Sequence, residues 1–112
     1  MINYKRKVNT MLKTSMEFKR GILFIRLKGD LNKNTIRGVI DRDFKYIVLN
    51  IDDMYSIDSY SIKYLNKIYK LYEAASNKFI ICDKFNVTNK LLKDIPKINR
   101  EYDAFKVFER MI

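Results

Sequence analysis

Asp58, Ser59, Tyr60 and Ser61 place three hydroxyls directly behind a carboxylate, and Ser59 is the candidate acceptor of a phosphoryl group. Such a group adds about −1.5 to −2 charges at neutral pH. At the first position of a helix it would meet unsatisfied N–H groups and the positive end of the dipole, so the folded chain should tolerate it where a partner's surface would not. Other reactive types are thinly spread. Asp52 and Asp53 are adjacent, but neighbours on an extended chain point apart, so they read as part of a solvated polar loop. Cys82 lies in an apolar run, where a thiol is ordinarily inert packing. The chain has no histidine, so the usual zinc sets cannot be assembled. A glycine-rich phosphate loop, a G-x-S-x-G elbow and a cysteine pair are missing as well. The expectation is a non-enzymatic domain that takes no metal and no cofactor.

The elements that would hold Ser59 can be read from periodicity. Tyr46 to Ile51 is almost continuously apolar, as a strand covered on both faces must be. After the polar residues Asp52, Asp53, Ser56 and Asp58, the positions Ile62, Leu65, Ile68, Tyr69, Tyr72 and Ala75 recur at three and four, which marks a helix from Ser59 to about Ala75. Either Asp58 or Ser59 caps it, and Asn77 is placed to end it. Upstream, Met16 and Phe18 alternate, Lys19-Arg20-Gly21 makes a turn, and Ile22 to Leu27 is β-branched and aromatic, which reads as a hairpin. A weak helix is expected over 33–44, with Asn34 or Thr35 as cap and Ile36, Val39 and Ile40 on its buried face. Phe79 to Cys82 repeats the buried-strand pattern, and Val87, Leu91, Leu92 and Ile95 predict a short helix stopped by Pro96. Ala104 to Phe108 suits an edge strand or a terminal helix equally well.

Strand and helix alternate, and helical crossovers join parallel strands. An α/β fold follows, with a mixed, mostly parallel sheet of four to five strands and helices mainly on one face. The 112-residue length suits one domain, divided here into a basic arm at 1–14 and a folded part at 15–112. The net charge of +10 is concentrated early: up to Lys28, eight lysines and arginines face the single acid Glu17. That raises a nucleic-acid or acidic-membrane partner, although an AT-rich coding bias also accounts for so many lysines. One cysteine and no long apolar run point to a reducing, cytoplasmic setting without membrane insertion.

The stretch YIVLNIDDMYSIDSYSIKYL closely resembles the central signature of the STAS domains of bacterial anti-sigma factor antagonists. There, a buried strand leads through an acid-serine turn into a helix. FIRLKGDLNKNT is similar to the family's strand and Gly-acid-Leu turn, and KFIICD, NVTNKLLKDI and FKVF follow in the family's order, so the resemblance spans roughly 16–110. It implies a STAS-like single domain that binds an anti-sigma factor with serine kinase activity. Ser59 then corresponds to the serine that this partner phosphorylates and Asp58 to the acid beside it, with Tyr60, Ser61, Asp30 and Asn32 on the docking surface. Phosphate on the serine would weaken the complex and so control transcription indirectly. Tyr60 and Ser61 stand where the family has a small residue and a glycine, and Asn32 where an acid is common. Those departures keep a second reading open, a STAS-like scaffold or interaction module without phosphorylation. A third, direct nucleic-acid binding through the basic arm, is the lesser one. The oligomeric state is not readable.

Overall fold

The computed structural model describes residues 12–111. A hairpin opens the fold: β1 (Leu12–Lys19) runs antiparallel to β2 (Ile22–Leu31). Their two-residue turn places both Arg20 (φ 52) and Gly21 (φ 84) in the left-handed region, the geometry whose twist matches paired strands. Glycine does this without strain, whereas arginine does not. The Arg20 guanidinium lies 4.5 Å from the ring centre of Phe105, a contact that holds the turn against the C-terminal segment.

β3 (Tyr46–Ile57), β4 (Lys78–Cys82) and β5 (Lys97–Ile98) continue the sheet in sequence order, all parallel to β2. β3 is longer than its apolar run: Asp52, Asp53 and Ser56 belong to the strand and not to a loop. Register shifts against β2 let β3 carry this polar stretch and still return Met54 and Ile57 to the core side.

Alternation along the strands separates two cores. Leu23, Ile25, Leu27, Ile47, Leu49, Ile51, Phe79 and Ile81 face α1 (Ser59–Ala74), which presents Leu65, Ile68 and Tyr72. Ile22, Phe24, Val48, Ile80 and Cys82 face the other way, against Ala104 and Phe108 of α2 (Asp103–Met111). The ambiguous last stretch is therefore a helix, and it closes the smaller core while α1 and two turn segments close the larger.

Those turn segments are corrections. Residues 33–44 form successive turns rather than a helix, although Ile36, Val39 and Ile40 are buried as expected. Side chains supply the reason: Asn32 Oδ1 accepts from the N–H of Asn34 and of Thr35, and Gly38 sits at φ 80, so helical hydrogen bonds are displaced locally. The same happens at 87–95, where the Asp83 carboxylate accepts from the N–H of Val87 and Thr88 and from the Thr88 hydroxyl. Leu92 and Ile95 are buried there, but Val87 (58%) and Leu91 (45%) are exposed. Ala75, and not Asn77, is the C-cap of α1, followed by Ser76 at φ 60; Ser76 N–H bonds Glu73 O at 3.1 Å and Asn77 N–H bonds Tyr72 O at 2.8 Å. Of the expected arm, Leu12 to Thr14 are already in β1, and residues 1–11 lie outside the described residues.

Candidate functional site

The parallel strands β2 and β3 finish side by side, with Asp30 opposite Ser56 and Leu31 opposite Ile57. Ends of parallel strands are where an open α/β sheet leaves backbone and side chains free for recognition. Here Asp58 joins three elements. Its own N–H donates to Leu31 O at 3.1 Å. One carboxylate oxygen accepts from Ser61 N–H at 2.8 Å, which makes Asp58 the N-cap of α1, and the other accepts from Lys33 N–H at 3.0 Å. Partial burial pushes the carboxyl up, but the N–H groups of Ser61 and Lys33 outweigh it and hold Asp58 below the usual range.

Ser59 follows as the first helical residue, exposed, in a first turn that contains no acid. Asp58's two carboxylate oxygens are engaged by backbone N–H groups, so Ser59 is a surface hydroxyl rather than an activated nucleophile. Tyr60 is 39% exposed beside it. Ser61 is corrected: it is 0% exposed, with no hydrogen-bond partner for its Oγ, so it faces the interior and not a docking surface. Asp30 and Asn32 are half-buried, with their side chains bonded to immediate neighbours. Asp30 Oδ1 accepts from Ser56 Oγ at 2.7 Å, and Asn32 organises the turn that brings Lys33 to Asp58. Thr35 locks that turn by donating to Asp30 O at 2.8 Å. Sequence reasoning missed Lys33, Thr35 and Ser56; the Asn-x-x-Thr spacing at 32–35 is the signal that would have found the first two.

The other reactive groups are structural. Asp52 accepts from Lys84 N–H at 2.7 Å and Asp53 is exposed, so the two do not converge. Cys82 is fully buried, and burial pushes its thiol up to about 12. Arg26 grips Glu101 in a fork, 2.8 Å from Nε and 2.7 Å from a terminal nitrogen, while also reaching Glu17 at 2.9 Å; Asn50 donates to Glu101 at 2.6 Å. That cluster ties the start of α2 to the sheet. Among the described residues no group of three acids or cysteines could hold a metal ion, and no helix is long and apolar enough to cross a membrane.

No family model and no curated protein matches the chain. Solved structures do. The anti-sigma factor antagonist SpoIIAA in its unphosphorylated form superimposes with a TM-score of 0.65 at 17% identity, covering 89% of this chain and 100% of that one. An anti-sigma factor antagonist from Mycobacterium paratuberculosis gives 0.70 at 16% identity, covering 89% and 96%. The STAS-like single domain expected from the central signature is thus the fold of this chain.

Proposed function

We propose that this chain is an anti-sigma factor antagonist: a non-enzymatic domain that binds an anti-sigma factor with serine kinase activity and is released when Ser59 is phosphorylated. The observation that carries this reading is the position of Ser59, exposed at the first turn of α1 and beside a cap that is bonded to the end of β2 and to the turn that follows it. Phosphate added there lies on the surface at the positive end of the helix dipole and leaves the fold standing. The same charge in a closed interface lacks a partner and costs far more than it does in water. Asp30, Asn32, Lys33 and Tyr60 border Ser59 and form the rim that the partner covers. A reducing cytoplasmic compartment suits the single buried thiol.

Tyr60 favours the second reading, since its half-exposed ring stands directly beside the serine and narrows a kinase's approach; the domain then serves as an interaction module without phosphorylation. Capture with tagged wild type and with Ser59→Asp from the source cell's lysate, followed by mass spectrometry of partners and of residue 59, decides between them. A kinase-like protein retained by wild type and lost with Ser59→Asp supports the switch. Equal retention by both, with Ser59 unmodified, refutes it. A basic-arm nucleic-acid binder would instead lose its ligand steeply between two salt concentrations.

A further inference from the structure

The two edges of the sheet are built differently. β5 has two residues, too short to template another strand. β1 has eight, pairs with β2 without a register break, contains no proline, and leaves Met16 47% and Phe18 60% exposed on one face. Edge strands are normally shortened, bulged, covered or charged because an open edge invites pairing. Among the described residues nothing pairs with the outer side of β1.

Its hydrogen-bonding pattern follows from the turn. A two-residue turn makes Lys19 and Ile22 bond each other, and antiparallel pairing then alternates. Glu17, Ser15 and Lys13 therefore bond β2, while the N–H and C=O groups of Leu12, Thr14, Met16 and Phe18 point outward.

We propose that β1 pairs antiparallel with β1 of a second copy about a twofold axis at Ser15, joining two five-stranded sheets into one. In this register each Lys13 lies opposite Glu17 of the other copy, each Leu12 opposite Phe18 and each Thr14 opposite Met16. The strand's charges thus complement themselves, and its exposed apolar side chains are covered. Centring on Met16 instead sets Lys13 against Lys19, a like-charge pair that disfavours it. One strand pair buries less surface than a permanent dimer requires, so the association depends on concentration. Two chains of +10 also repel each other, so added salt strengthens it by screening, and the Lys13–Glu17 contacts set register more than affinity.

Two variants test the pairing alongside sedimentation velocity of the wild type. Thr14→Pro removes an N–H that points outward, so the β1–β2 hydrogen bonds stay intact while the new edge is blocked. Ser15→Cys puts two thiols on the axis, where opposing Cα atoms without mutual hydrogen bonds lie about 4.5 Å apart, within reach of a disulfide. The buried Cys82 does not compete. The expected result is a twofold rise in mass with wild-type concentration, Thr14→Pro remaining at 13.5 kDa with an unchanged far-UV circular dichroism spectrum, and Ser15→Cys giving a covalent dimer under mild oxidation. If Thr14→Pro fails to fold, the Ser15→Cys cross-link decides alone. A wild type that stays a single chain at its highest attainable concentration overturns the proposal, whatever else the edge then binds. So does a dimer that neither yields the cross-link nor responds to Thr14→Pro.

Discussion

Asp58→Ala removes the group that fastens the candidate switch in place, and its cost can be worked from the contacts. The variant loses the cap on Ser61 N–H and the bond from Lys33 N–H. Loss of an N-cap carboxylate costs roughly 1–2 kcal/mol. The exposed Lys33 N–H recovers much of its bond from water and adds little. For a domain of this size the loss lowers Tm by about 5–10 °C. Asp58→Asn keeps a capping oxygen and should lose only a small part of this. The pH dependence has a definite sign: a carboxyl held low in the folded state contributes stability above its unfolded pKa of about 3.9 and loses it as pH falls through the folded value. Melting curves of wild type and Asp58→Ala, followed by circular dichroism at neutral pH and at successively lower pH, should therefore converge on acidification. An alanine variant that melts with wild type at neutral pH refutes the capping argument. An asparagine variant as unstable as the alanine one refutes the part assigned to geometry and leaves charge alone.

Ser61→Ala deletes a fully buried hydroxyl beside the Asp58 cap, without a well-formed hydrogen bond of its own, and should leave the urea midpoint unchanged or slightly raised; a drop of about 1 kcal/mol would mean that Oγ bonds the Asp58 carboxylate. Cys82, with its thiol buried and pushed up to about 12, should stay unlabelled by a thiol reagent in the native protein and react at once in denaturant. Prompt native labelling would show that α2 does not keep the smaller core closed.

Long periodic segments were legible from the residues alone. α1 was, because Leu65, Ile68 and Tyr72 recur at helical spacing and are buried, and β3 and β4 were, because a short, continuously apolar run suits a strand covered on both faces. Residues 33–44 were misread for a physical reason: Ile36, Val39 and Ile40 carry helical spacing because they are buried together, while Asn32, Thr35 and Gly38 decide the backbone. The Asp83 cap hid the turns at 87–95 in the same way. Ala104 to Phe108 was undecidable because Phe105, Val107 and Phe108 satisfy both periods, and only the second core, formed by residues far apart in sequence, selects the helix. At the site, Ser59 was placed correctly at the helix start. Ser61 was not, since burial of a polar side chain at the third helical position leaves no trace in a local pattern.

β3 has a mechanical character of its own. Ile47 to Asn50 are clamped on both sides by β2 and β4, whereas from Asp53 to Ile57 the strand is laddered to β2 alone. The strand is a beam built into the sheet at one end and overhanging at the other, and Ser59 rides just beyond the overhang. A load at its tip bends the short outer span long before it disturbs the clamped root. The stays are the bonds from Lys84 N–H to Asp52 and from Lys33 N–H to Asp58, so amide exchange over 51–57 should report what touches the tip while the root stays silent.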